Sequence, residues 1–230
     1  MKEEDIIKQE RDCTGTSWTY CQFFDENGYL ILKNLCDPEK LYHPVPKERG
    51  CYSWHGKNLD EFTNTEVESQ VEGSLARYWH PQYIQTHTKI RKILEEIIKR
   101  KLYNTYYYDR FYFPGQELKR HLDRPACEIS VSVHVSSNLD TTWPIYIKTP
   151  DKFTDESRSK IEKEGKNVSV ILEKGDALLY KGCERPHWRN PMPGMLDKLN
   201  GIENLYYHQI FFHYVLQDGQ RAHYAWDRVR

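Results

Sequence analysis

The chain is 230 residues long, with 33 Lys and Arg against 34 Asp and Glu and a formal net charge of -1. That length buries one substantial core without a second domain, and the balanced charge excludes the overall positive field that gathers nucleic acid or an anionic membrane, leaving only a local basic patch open. The amino end shows no charged-then-apolar leader, no apolar run could cross a bilayer, and the six cysteines (Cys13, Cys21, Cys36, Cys51, Cys127 and Cys183) have no CxxC spacing, so a cytoplasmic protein with free thiols is expected.

In chain order, GYLILK (28–33) reads as an early strand, and Asp37-Pro38 as an N-cap with proline at the first position of a short helix. The stretch 42–62, YHPVPKERGCYSWHGKNLDEF, is rich in turn formers and reads as a long loop. A helix runs from 81 to about 100, where Tyr83, Ile84, Ile90, Ile93, Leu94, Ile97 and Ile98 recur at helical spacing. Its apolar face packs on a sheet or, in the competing reading, forms a homodimer contact. Residues 1–104 are therefore expected to be mainly helix and loop around one strand.

From 105 to 216 the pattern becomes that of strands. YYYDRFYFPGQELKRHLDRP (106–125) is an aromatic strand, a Pro-Gly turn and a second extended segment; Tyr108, Arg110 and Tyr112 share one face, Phe111 and Phe113 the other. EISVSVHV (128–135) alternates, placing Ser130, Ser132 and His134 opposite Ile129, Val131, Val133 and Val135. The charged run 151–167 reads as a solvated helix and loop. VSVILEKGDALLYKG (168–182) sets a Gly-Asp turn between two apolar runs, and LYYHQIFFHYVL (205–216) supplies a last strand before a tail, 217–230. Strands in succession describe a single domain, 1–230, that is mainly β with flanking helices: a small antiparallel barrel or jelly roll.

The chemistry lies in His121, Asp123 and His187. Residues i and i+2 of an extended segment face the same way, so His121 and Asp123 can offer an imidazole and a carboxylate to one ion. Two imidazoles and one carboxylate on one face of an octahedral metal leave positions open for a co-substrate and for oxygen, the donor set of non-haem Fe(II) oxygenases. An H-x-D string also arises by chance, and His187 then has no part in a site. His208 and His213 sit at odd spacing on the last strand, face opposite sides and cannot both serve one ion; neither follows a Gly-Asp turn as His187 does.

In FFDENGYLILKNL (23–35), YFPGQELKRHLD (112–123) and GDALLYKGCERPHW (175–188) the chain resembles the Fe(II)- and 2-oxoglutarate-dependent dioxygenase superfamily, in particular the branch with prolyl hydroxylases and phytanoyl-hydroxylase-like enzymes. The resemblance implies a double-stranded β-helix core and iron held by His121, Asp123 and His187. It also implies oxidative decarboxylation of 2-oxoglutarate, with O2, coupled to hydroxylation of a substrate. The aspartate argues for hydroxylation, since halogenases of this superfamily lack the carboxylate ligand.

One departure concerns the Arg or Lys that this branch often carries about ten residues past the distal histidine, where it pairs with the far carboxylate of 2-oxoglutarate. Here the last strand has no basic residue except histidines. Arg189 is the favoured anchor because a planar guanidinium suits a bidentate carboxylate. Lys198, Arg110 and the Tyr112 hydroxyl are the alternatives. Tyr108, His134, Trp143 and Trp188 are candidate pocket residues, and the segments 42–62 and 151–167 are expected to flank the mouth and select the substrate. That substrate is a small molecule or a peptide side chain such as proline; nucleic acid is disfavoured, and a monomer and a homodimer are both compatible. A cupin-like metalloenzyme without 2-oxoglutarate, and a catalytically silent jelly-roll binding module, remain as alternatives.

Overall fold

The strict alternation of 128–135 decides how the layers stack. In a computed structural model, which describes residues 17–42, 49–65, 68, 70–150, 165–194 and 205–225, this segment lies in strand β7 (Ile129–Ser137). Its Ile129, Val131, Val133 and Val135 pack outward against the helices, while Ser130, Ser132 and His134 are left for the other face.

The remaining strands are β1 (Tyr29–Leu32), β2 (Gly50–Trp54), β3 (Phe62–Thr65), β4 (Leu75–Tyr78), β5 (Leu102–Tyr112), β6 (Leu118–His121), β8 (Ile145–Thr149), β9 (Lys166–Val170), β10 (Ala177–Tyr180), β11 (His187–Arg189) and β12 (Tyr207–Leu216). They form a large sheet in the order β1-β10-β7-β12-β5-β4-β2-β3 and a small one in the order β6-β11-β8-β9. All pairs are antiparallel except β2 with β4. Tyr29, Ile31, Leu178 and Tyr180 of the large sheet meet Ile145, Ile147, Val168 and Val170 of the small one, which closes one end of the sandwich with an apolar plug. The architecture is the expected jelly roll, mainly β.

Among the described residues two helices cover the outer face of the large sheet: α1 (Ser17–Asn27) and α2 (Ile84–Ile98), the latter led in by a 3-10 turn at Pro81–Tyr83. The stripe α2 buries is His87, Ile90, Leu94 and Ile98. Ile84 in the first turn and Ile93, about a third of a turn off that line, are 40% and 42% exposed, contrary to the pattern expected of them. His87 takes a core place instead, its Nε2 donating to the His213 carbonyl at 3.0 Å. Asp37 caps the short 3-10 turn Pro38–Lys40 as expected, accepting from Glu39 N at 3.2 Å.

The amino-terminal part departs from its reading as helix and loop around one strand. The supposed loop 42–62 contains β2 and leads into β3, and with β4 these widen the large sheet; 43–48 lie outside the described residues. Turn formers masked a short alternation in which Tyr52 and Trp54 point to Leu75, Phe111 and Phe113. Of the charged run, 151–164 lie outside the described residues and its end enters β9. Cys21, Cys36, Cys51, Cys127 and Cys183 are free, and no helix among the described residues is long and apolar enough to cross a membrane.

Beneath α2 the large sheet holds a buried charge cluster. Asp109 on β5 accepts from Arg77 on β4 through Nε at 3.0 Å and through its terminal nitrogen, and from His208 Nε2 on β12 at 2.7 Å. The Tyr83 hydroxyl lies 3.4 Å away. Burial alone would raise the Asp109 carboxyl, but Arg77 and His208 hold it well below the usual carboxylate range. Asp109→Ala leaves Arg77 as an unpaired buried cation and is expected to cost about 3–5 kcal/mol. Chemical denaturation checks this; a loss below 1 kcal/mol would show that the cluster is not a fastening between β4, β5 and β12.

Candidate metal centre

β6 and β11 are neighbours in the small sheet, and their register sets His187 directly opposite His121. The two rings lie 4.3 Å apart between centroids. Asp123, two residues past His121, turns its Oδ1 to within 3.5 Å of both Nε2 atoms. One donor atom from each residue falls within 4.8 Å of the others, so the three predicted ligands meet at one point.

The hydrogen bonds on the far side of each ring fix what faces that point. His121 Nδ1 donates to the Lys119 carbonyl at 2.8 Å, and His187 Nδ1 to the Arg185 carbonyl at 3.0 Å. A carbonyl only accepts, so both Nδ1 atoms carry hydrogen and each ring, in its neutral form, presents an Nε2 lone pair, the orientation that outer partners impose on metal-binding histidines. The Gln70 amide donates to that lone pair of His121 at 3.2 Å. Burial would raise the Asp123 carboxyl, but His187, when its ring is protonated, and the hydrogen bonds that both protonated rings then donate hold it well below its ordinary value, so it is an anion before a metal takes the place of those protons.

Gly182 makes room for the carboxylate. A Cβ there would sit 2.3 Å from Asp123 Oδ2, 2.4 Å from the Cys127 carbonyl and 2.7 Å from Ser130 Oγ. Gly182→Ala is therefore expected to displace Asp123, lowering stability by about 1–3 kcal/mol and weakening metal binding. Thermal melts and a Co(II) titration check both effects, and unchanged Co(II) affinity would rule out the displacement.

Arg189 shares the inward face of β11 with His187. It is 1% exposed, sandwiched 4.6 Å from both the Trp143 and Tyr207 rings, and donates to the Trp143 carbonyl at 2.5 Å and the Tyr207 hydroxyl at 3.3 Å. Its Nε has no partner, and among the described residues no ion pair joins it to a carboxylate. Arg110 is also buried, but it is neutralised by Glu68 at 3.0 Å and touches the Tyr112 hydroxyl at 3.4 Å. Lys198 lies outside the described residues.

Among the pocket candidates, Tyr108 stands on the inner face of β5, stacked on Phe211 at 4.6 Å. His134 lines the interior, stacked on Tyr207 at 4.3 Å, with its nitrogens on the Leu172 carbonyl and the Ser137 hydroxyl. Trp143 reaches inward to the Arg189 guanidinium. Trp188 does not belong with them. It sits between His187 and Arg189 in a strand of period two, so it faces outward, stacked on Tyr146 at 5.5 Å with Arg120 over its ring.

Sequence reasoning missed Ser130, Gly182, His213, Glu68 and Gln70 as neighbours of the site. The serine and His213 were visible as polar positions on inward faces, whereas Glu68 and Gln70 come from a segment with no periodic signal.

No family model and no curated protein matches the sequence. Solved structures do match the fold. A prolyl-4-hydroxylase of Pseudomonas putida superposes with a TM-score of 0.55 at 11% identity, covering 87% of this chain and 98% of that one. HygX of Streptomyces hygroscopicus, crystallised with nickel, 2-oxoglutarate and hygromycin B, gives 0.54 at 11% identity over 84% of each chain. An oxidoreductase of the 2OG-Fe(II) oxygenase family from Burkholderia pseudomallei gives 0.52 at 10% identity, covering 87% of this chain and 90% of that one. The fold of this chain is thus the jelly roll of the Fe(II)- and 2-oxoglutarate-dependent oxygenases.

Proposed function

We propose that the protein is a cytoplasmic, single-domain Fe(II)- and 2-oxoglutarate-dependent oxygenase that hydroxylates a small molecule or a peptide side chain. The observation that carries this reading is the convergence of two Nε2 lone pairs and one ionised carboxylate oxygen at the rim of a jelly roll. That donor set suits iron and leaves part of its coordination sphere open. When bound there, iron and 2-oxoglutarate supply the oxidising chemistry.

The chain's own task is to bind, orient and exclude water. His121, Asp123 and His187 hold the metal. Arg189 takes the far carboxylate of 2-oxoglutarate: a buried guanidinium without an anion is costly, and Arg110, the rival, already has Glu68. Two residues along a strand span about 6.6 Å, a separation that a five-carbon dicarboxylate can bridge between His187 and Arg189. Tyr207, Trp143 and Tyr112 wall that space. Tyr108 and His134 face the same interior and are proposed to meet the substrate.

The test is Fe(II)-dependent formation of succinate from 2-oxoglutarate by the full chain, screened for stimulation by amino acids, peptides and small metabolites. Absence of succinate with iron bound would favour a cupin-like enzyme that does not use 2-oxoglutarate. Arg189→Ala is expected to weaken 2-oxoglutarate binding at least about 10-fold, the loss of a charge-assisted hydrogen bond, with iron affinity unchanged. Unaltered 2-oxoglutarate affinity in that variant would move the anchor to Arg110, Lys198 or Tyr112.

A further inference from the structure

We infer that Ser130 and His213 are positioning residues that hold Asp123 in a single-oxygen presentation toward the metal; the inference rests on the iron-site reading. Ser130 Oγ, fully buried on β7, lies 2.9 Å from Asp123 Oδ2 and 2.9 Å from His213 Nδ1. A serine hydroxyl has one hydrogen. An ionised carboxylate and a carbonyl only accept, and Oδ2 at 2.9 Å is nearer and more strongly charged than the Cys127 carbonyl at 3.2 Å, so that hydrogen goes to Oδ2 and His213 Nδ1–H becomes the donor to Ser130. The order is His213, then Ser130, then Asp123.

Both ends of this relay are fixed. The His213 ring lies 4.6 Å from Tyr106, and its backbone carbonyl is held by His87 of α2 at 3.0 Å. At the other end, Asp123 N donates to the Gly182 carbonyl at 3.0 Å. Oδ2 is thereby engaged by Ser130, and Oδ1 is the oxygen nearest the two Nε2 atoms. A carboxylate free to rotate could chelate with both oxygens and close a position needed by other ligands. A pinned one cannot.

Asp123, Cys127 and His213 also form a second group with donor atoms close enough for an ion. The Ser130 hydroxyl already bridges two of its three members, and the Cys127 thiol is in contact with the Tyr106 hydroxyl at 3.1 Å. That cluster is therefore assigned as a hydrogen-bonded support for Asp123 and not as a second metal site.

The experiment measures Co(II), as a surrogate for Fe(II), binding to the full chain by calorimetric titration and by its visible absorption, with a thermal melt of each variant. Ser130→Ala is expected to lose about 10–100-fold in Co(II) affinity, as removal of an outer partner of a ligand does, and to change the Co(II) band intensities that report coordination number. His213→Leu is expected to weaken binding as well. His213→Asn, which retains a donor near the Nδ1 position, is expected to restore it. A purely structural role would move the melting temperature without this split between leucine and asparagine.

Unchanged Co(II) affinity in a folded Ser130→Ala, or equal affinities in His213→Leu and His213→Asn, overturns the inference; if Ser130→Ala does not fold, the pair at 213 decides. Failure of the iron-site reading looks different, since the unmodified chain would then bind Co(II) no better than His187→Ala.

Discussion

His187→Ala is expected to abolish stoichiometric Fe(II) binding while leaving a folded protein. The residue is 2% exposed, its Nδ1 is committed to the Arg185 carbonyl, and its Nε2 is one of three donors at the site. Removing it leaves one imidazole and one carboxylate, and no other described histidine can replace it: His213 is turned to Ser130, and His134 has both nitrogens engaged. The loss should exceed the roughly 10–100-fold that follows removal of an outer partner. His121→Ala and Asp123→Ala should behave alike. Iron content after anaerobic reconstitution, read beside a melting curve, provides the check, and full occupancy in any of the three would defeat the assignment.

Acidification is expected to unfold the protein before the ordinary carboxylates titrate. Burial depresses His80 to about 4, His87 to about 3 and His134 to about 4, from an ordinary value of 6.5. In the unfolded chain these rings take up protons as the pH falls below about 6.5, whereas in the folded chain they stay neutral until near their depressed values. The unfolded state binds more protons throughout that window, so stability is full above it and falls with pH through it. Together the three are worth on the order of 10 kcal/mol, comparable with the whole stability of a domain of this size. Far-ultraviolet circular dichroism between pH 7 and 4 tests this. A flat signal down to pH 4, with an unchanged denaturation midpoint, would contradict it.

Legibility in the sequence followed periodicity. β7 and α2 could be located because Ile129, Val131, Val133 and Val135, or Ile90, Leu94 and Ile98, repeat at the period of their element. His121 and Asp123 were legible for the same reason, being two apart in an extended segment. The hairpin of β2 and β3 was hidden because Gly50, His55, Gly56 and Asn58 outweigh a five-residue alternation. Trp188 was misplaced because adjacency was read where period two puts it on the opposite face. The partners of Asp109 could not be read at all: Arg77, Tyr83 and His208 come from three separate elements, and only the pairing of β4, β5 and β12 brings them together.

The direct opposition of His121 and His187 has a mechanical consequence. β6 and β11 are four and three residues long, and their ladder slips between His187 and Arg189, so few backbone bonds hold this edge of the small sheet. An ion bound to both rings is a cross-link between two strands far apart in the chain. It closes a long loop, and the affinity that creates it is also folding free energy. Under the proposed function, an ion there would be a rivet as much as a reagent and would tighten the rim of the barrel.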